Sequence, residues 1–177
     1  PQALARDAKV RSRLATLGVA FHTFKDHTVF ERGEVLTQTG TPYSVFTPYK
    51  NAWLKKIDPF YLQSYNVARH AHRLAPRPPV HCQVVPALPD LGFEESAWSP
   101  LKIPAGARGA QRLFDDFLAR IDRYDDTRNF PAIKGPSYLS VHLRFGTISP
   151  RQLARVAHQL SRQGSSGATT WLNELIW

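Results

Sequence analysis

Two tryptophans and a glutamate near residue 177 have a spacing that suits a chemical site. Trp171, Glu174 and Trp177 follow one another at intervals of three positions. On an α-helix they therefore fall on one side, with Asn173 at its edge. Indole rings are stacking platforms for flat π-systems such as a nucleobase or a flavin. A carboxylate accepts hydrogen bonds from the edge of a pyrimidine, and it donates one when its site raises its pKa.

The same residues have a plainer interpretation. Leu172, Leu175 and Ile176 form an apolar stripe on the neighbouring side of the same helix, and both indoles could pack into a core beside it. On spacing alone, core packing is the favoured interpretation. The choice depends on the elements that hold this helix.

A second candidate is the small-residue run 135–140, which leads into a short helix carrying Leu139 and Leu143. Free amides and hydroxyls at such a place suit a phosphate or pyrophosphate. Many helices begin in this way only to satisfy their own amides. Arg128, in the polar segment just before, could contact a DNA phosphate, although a lone loop arginine is more often only solvated.

From residue 107 the sequence predicts helices throughout. A first apolar stripe predicts a helix that ends near Tyr124, followed by a polar loop over 125–134. That stripe consists of Leu113, Phe114, Phe117, Leu118 and Ile121. Ser149, Pro150 and Gln152 have the pattern of a capping box.

The helix that follows Ser149 has its own apolar stripe of Leu153, Val156, Ala157 and Leu160. Residues 164–167 are predicted to be a flexible loop. The last helix is then expected to be capped by Thr169 or Thr170.

The first part of the sequence predicts an α/β layer. Residues 1–17 have helical spacing, Gly18 is a helix stop, and 19–24 is predicted to be a short strand. Turn chemistry over 39–42 precedes a predicted helix that runs through 49–56, with Thr47 as its N-cap and Pro48 in its first position.

Prolines mark the boundary between these two parts. Seven of the 14 prolines lie between Pro76 and Pro104, and proline fixes φ and removes a hydrogen-bond donor. We therefore interpret 76–106 as an extended connection whose apolar residues lie across a surface. These residues are Val84, Val85, Leu88, Leu91 and Trp98.

Composition narrows the classes of protein further. The net charge of +9 suits a polyanionic partner, although basic character alone also serves solubility. The single cysteine, Cys82, excludes an internal disulfide and fits a reducing cytoplasm. His70 and His72 are the only close histidine pair, without the neighbours a metal site needs, and no apolar run is long enough for a membrane span. The absence of methionine leads us to expect an internal piece of a longer protein.

Five runs in chain order carry a family resemblance. They are 45–53, 124–131, 135–140, 145–151 and 171–177. These runs resemble the class I photolyase/cryptochrome family, and within it the bacterial enzymes that repair cyclobutane pyrimidine dimers. The resemblance implies an α/β plus all-α fold. Residues 1–75 would be the end of a Rossmann-like antenna domain, 76–106 the inter-domain linker, and 107–177 the start of a helical FAD-binding domain.

The resemblance also implies roles for individual residues. The residues expected to hold FAD are Tyr124, Ser137, Tyr138, Leu139, Ser140 and Trp171. The residues expected to meet UV-damaged DNA are Arg128, Asn173, Glu174 and Trp177. Glu174 and Trp177 would be catalytic, the first by hydrogen bonding to the flipped-out dimer and the second by stacking on it. Reduced FAD excited by blue light would supply the electron, and the full-length protein is expected to be a cytoplasmic monomer.

Two departures from the family pattern refine these expectations. Pro136 stands before the motif serine, where relatives usually have threonine, which removes a hydroxyl and an amide donor. Residues 2–7 lack the Asn-Glu pair of folate-binding relatives, so we expect no folate antenna, while a different second chromophore stays compatible. The piece alone is expected to bind FAD poorly.

Two other functions remain open at this stage. One is a cryptochrome-type blue-light photoreceptor, and the other is a flavin-free helical DNA-binding module. Glu174 favours repair, because in the family (6-4) photolyases tend to carry glutamine there and signalling cryptochromes often lose the glutamate.

Overall fold

The computed structural model describes residues 2–25, 27–65, 67–81, 85–94 and 103–177. Within these ranges the chain contains α-helices and short 3-10 turns, and no β-strand. The α-helices are α1 (Gln2–Ala15), α2 (Phe46–Lys56), α3 (Pro59–Leu62), α4 (Gly106–Leu118), α5 (Tyr124–Thr127), α6 (Ser140–Arg144), α7 (Pro150–Arg162) and α8 (Ser166–Ile176). The 3-10 turns are Val67–Arg73, Pro79–His81, Pro89–Leu91 and Ile121–Arg123.

Helices α4 to α8 form the main core, with α8 packed against α7, α5 and the 121–123 turn. Phe114, Phe117 and Ile121 are buried, and Leu113 and Leu118 pack against them at the edge of the core. The predicted apolar stripe is therefore confirmed. The stripe of α7 is confirmed in the same way, because Leu153 and Ala157 are fully buried.

A glycine brings α8 close to its neighbour. A Cβ built on Gly167 would lie 2.0 Å from the carbonyl oxygen of Ile121, so only glycine permits this approach. The Ser165 hydroxyl binds the Asp122 carboxylate at 2.5 Å and accepts from the amide of Ala168. These contacts hold the beginning of α8 on the 121–123 turn.

Several helix boundaries differ from those predicted. Ser165, and not Thr169 or Thr170, caps α8, so 164–167 is a capped helix start and not a flexible loop. Helix α4, which carries the first apolar stripe after residue 107, ends at Leu118 and not near Tyr124. The segment predicted to be a polar loop over 125–134 begins inside α5.

The capping box at α7 is only half formed. The Ser149 hydroxyl accepts from the amide of Gln152 as predicted. The Gln152 side chain instead donates to Gln111 of α4 at 3.2 Å. This contact with α4 takes the place of the hydrogen bond that the Gln152 side chain would make to the backbone N–H of Ser149 in a full capping box.

The beginning of the chain is helical as predicted, but the strand is wrong. Helix α1 ends before Gly18, which has φ of 68°. Residues 19–24 have no strand structure, and Phe24 is 87% exposed. A strand needs a neighbour that pairs with its N–H and C=O groups, and no described residue offers one. The α/β half of the predicted fold class is thus not confirmed, whereas the all-α half is.

Helix α2 connects the N-terminal region to the main core. It begins at Phe46, with Val45 at the N-cap, so Thr47 lies in the first turn and is not the cap. Its Trp53 is buried and meets Phe30 edge to face, with ring centroids 5.5 Å apart. Contacts of α2 with α8 and of α3 with α7 attach this region to the helical core.

The proline-rich segment is mostly exposed where it is described, and it is interrupted by turns and not extended throughout. It contains the 3-10 turns Pro79–His81 and Pro89–Leu91. Val85, Leu88 and Leu91 are exposed, so the prediction that they lie across a surface is wrong for these three. Val84 and Trp98 lie outside the described residues. The predicted domain boundaries stay predictions.

Candidate functional site

Helices α5 and α8 lie side by side and bring two predicted DNA-contacting residues together. The Arg128 guanidinium, just after α5, forms an ion pair with Glu174 of α8, with Nη1 and Oε1 2.6 Å apart. The side chains are 30% and 47% exposed, respectively. The pair joins residues 46 positions apart in the sequence, so it depends on the tertiary fold.

Arg128 also covers a predicted cofactor-binding residue. Its guanidinium carbon lies 5.4 Å from the centroid of the Tyr124 ring, a cation–π distance. The hydrogen bond to Glu174 raises the pKa of Arg128. Burial raises the pKa of Tyr124, whose ring meets Phe117 edge to face at 5.6 Å. Tyr124, Arg128 and Glu174 therefore form one continuous cluster from the core to the surface.

The two tryptophans of α8 have different environments. Trp171 is 3% exposed and packs on Phe117 and Phe114, with ring centroids 4.8 and 6.0 Å away. Its indole thus has the core environment that spacing alone favoured. A contact of Trp171 with a flavin stays a prediction.

Trp177, in contrast, is 78% exposed. Its ring meets that of Phe46, the first residue of α2, at 5.1 Å with the planes at 80°. Its backbone N–H donates to the carbonyl of Asn173. The predicted surface of two indoles around a carboxylate is therefore divided, with one indole in the core and the other open beside Glu174 and Asn173.

The 135–140 loop is attached to α4 and α5. A Cβ on Gly135 would lie 2.7 Å from the carbonyl oxygen of Thr127, so the loop runs directly against α5. Arg120 donates to the Pro136 carbonyl at 2.9 Å and to the Asp116 carboxylate at 2.6 Å. The sequence interpretation missed Arg120; only its spacing of four from Asp116 hinted at part of this arrangement.

The loop presents polar groups at the surface. Tyr138 has a positive φ of 57°, an unusual conformation for a non-glycine residue. Tyr138 and Ser140 are exposed, and Ser137 is half-buried, while the Ser137 hydroxyl accepts from the amide of Leu139. Leu139 is buried, so a ligand could meet its backbone but not its side chain. Hydroxyls of this kind can hydrogen-bond a phosphate or a sugar, and a contact with FAD stays a prediction.

The described part of the chain contains neither a cluster of metal-ligating side chains nor a helix that could span a membrane. No group of three or more histidine, cysteine or acidic side chains there could hold a metal ion. None of the described helices is long and apolar enough to cross a membrane.

The arrangement of these helices matches that of a known class of protein. The chain superposes with a TM-score of 0.71 on the crystal structure of a bacterial class III photolyase from Agrobacterium tumefaciens, at 24% identity, covering 100% of this chain and 37% of that one. This likeness shows the fold.

Sequence comparison finds similar proteins of the same kind. The DNA photolyase family model matches residues 1–73. Deoxyribodipyrimidine photo-lyases of Vibrio cholerae and Escherichia coli are 33% and 31% identical over 97% and 98% of this chain. The chain is thus similar to the DNA photolyase family, over residues 1–73 by the family model and over nearly its whole length by these relatives. It spans 36% and 35% of the length of these two relatives.

Proposed function

We propose that the native protein repairs cyclobutane pyrimidine dimers in UV-damaged DNA, using light and bound reduced FAD. One observation carries the proposal, namely the Arg128–Glu174 pair beside the open indole of Trp177. A guanidinium suits a phosphate, a carboxylate suits the edge of a pyrimidine, and an exposed indole suits stacking on a base. The deoxyribodipyrimidine photo-lyases among the relatives support this choice.

The DNA-facing roles follow from position. Arg128 would contact a backbone phosphate and Asn173 would approach the same strand. Glu174 would hydrogen-bond the flipped-out dimer and stabilise its radical anion, while Trp177 stacks on it. The ion pair has a consequence for binding, because Glu174 neutralises Arg128 until DNA provides a phosphate in its place.

The cofactor-holding roles are proposed for residues behind this face. Tyr124, Trp171 and the loop residues Ser137, Tyr138, Leu139 and Ser140 would hold FAD. When bound, reduced FAD supplies the photoexcited electron that splits the dimer. Arg120 would keep the loop in place through the Pro136 carbonyl.

The family-model match, which ends at residue 73, supports the proposed domain organisation. Residues 1–75 would belong to the antenna domain, 76–106 to the linker, and 107–177 to the helical FAD domain. A second chromophore other than folate, a cytoplasmic location and a monomeric state complete the proposal.

The first experiment asks whether repair depends on light. The native protein, loaded with reduced FAD, is incubated with an oligonucleotide duplex containing one thymine dimer, in darkness and under blue light. We expect dimer loss only under illumination. Equal loss in darkness, or none in light, would contradict the repair function.

The second experiment separates the two roles of Glu174. Because Glu174 lies on the DNA side of Tyr124, Glu174→Ala should lower the repair yield at least tenfold, roughly what the loss of one charge-assisted hydrogen bond costs, with little loss of FAD. Freed Arg128 should then bind undamaged DNA more tightly at low salt. Asp115→Ala, which removes an exposed carboxylate of α4, is the matched control. A parallel fall of flavin content and repair would instead make Glu174 structural.

A further inference from the structure

The exposed indole of Trp177 contacts Phe46, a residue of the N-terminal region. Phe46 meets it edge to face at 5.1 Å, and the two helices that carry them are in contact. Trp177 directly follows α8, and its backbone N–H donates to the carbonyl of Asn173. The indole is 78% exposed, and Phe46 is the aromatic ring that the structure places against it.

Phe46 is itself fixed by α2. It is half-buried at the edge of the core, and the Lys50 ammonium, one turn along the helix, lies 6.0 Å from its ring centroid. The buried Trp53 anchors the same helix on Phe30. The Phe46 ring therefore provides a firm support for an otherwise open side chain.

We propose that Phe46 is a positioning residue for the lesion, acting through Trp177. It would hold the indole in the orientation that stacks on the dimer, so that α2 contributes to a DNA-binding surface formed by α5 and α8. This inference rests on the proposed function. A stacking platform that is fixed in advance binds more tightly than a freely rotating one, since less rotamer entropy is lost on binding.

The test is a double-mutant cycle in the native protein. The affinities of wild type, Phe46→Ala, Trp177→Ala and the double variant are measured for a duplex with one thymine dimer and for the undamaged duplex. An aromatic pair contributes enough for Phe46→Ala to weaken dimer binding about three- to tenfold. In the Trp177→Ala background the same substitution should change nothing. Phe46→Tyr, which keeps the ring, should retain wild-type affinity.

Phe60→Ala is the matched control, because Phe60 makes a similar edge contact with Tyr61 at 5.3 Å but does not touch Trp177. It should leave dimer binding unchanged. If Phe46→Ala does not fold, Phe46→Leu is measured in both backgrounds, and full affinity with leucine would overturn the inference.

The outcomes separate this inference from the proposed function. Unchanged dimer affinity in Phe46→Ala, or an equal loss with and without Trp177, would overturn the positioning role. A wild-type protein that does not distinguish the dimer from undamaged DNA would overturn the proposed function instead.

Discussion

The regions before and after the proline-rich segment bury very different numbers of apolar side chains. Among the described residues, 14 of the 18 buried apolar side chains lie after residue 103, so the core belongs to α4–α8. The other four are Val29, Phe30, Trp53 and Leu62, and they join the same cluster. Helix α1 buries none of its residues.

The family-model match and the main core lie in different regions, although the relatives align over nearly the whole chain. The family model matches residues 1–73, where this chain supplies little core, whereas the dense helical core lies outside that match. The two regions meet where α2 and α3 pack on α8 and α7, and Trp177 lies at one of these contacts.

The sharpest contrast between the regions should come from two phenylalanines. Phe117 is fully buried between Tyr124 and Trp171, so Phe117→Ala should lower the free energy of unfolding by about 3–5 kcal/mol. Phe24 is 87% exposed, and Phe24→Ala should stay within about 0.5 kcal/mol. Urea unfolding followed by circular dichroism measures both. Comparable losses would mean that the N-terminal region has a core of its own.

A smaller effect is expected where α8 meets the 121–123 turn. Gly167→Ala would place a Cβ against the Ile121 carbonyl and should cost about 1–3 kcal/mol through overpacking. Ser166→Ala, at the neighbouring exposed position, is the control and should have little effect. If both variants melt like wild type, the close approach of α8 to this turn is not maintained in solution.

The helical core could be predicted from sequence because its signals are local. The period of the apolar residues placed Phe114, Phe117 and Leu153 inside, and the Ser149 cap followed from a serine before a proline. These features need only one helix and its own neighbours. The strand at 19–24 failed for the opposite reason, since alternation describes a strand only when a partner is present.

The candidate site was predictable only in part. Helical geometry put Trp171 and Trp177 on one side, but a different helix, α4, covers the first with Phe114 and Phe117. Likewise, no local pattern pairs Arg128 with Glu174 across 46 positions. Sequence gives the faces of a helix, and tertiary packing decides which face is covered.

The weakest contrast to test lies at the contact between the two regions. A cavity of about 780 Å³ separates the α2–α3 junction from α7 and is lined by His158, Arg162 and Leu62, among others. Burial, and then the charge of Arg162, lowers the pKa of His158. The folded protein therefore disfavours the protonated imidazole, whereas the unfolded chain takes up a proton near the usual histidine pKa of about 6.5.

Above about pH 6.5, His158 therefore leaves the free energy of unfolding unchanged. As the pH falls from about 6.5 towards the lower pKa of His158 in the folded state, protonation of the unfolded chain lowers that free energy. His158→Gln should remove this loss, so its melting temperature should fall less than that of wild type between about pH 7.5 and pH 5.5. Arg162→Gln should lessen the loss without abolishing it, because burial remains. Thermal melts of the three proteins at both pH values measure the difference. Identical pH profiles would mean that α3 does not cover His158 in solution and that the two regions meet only through α2 and α8.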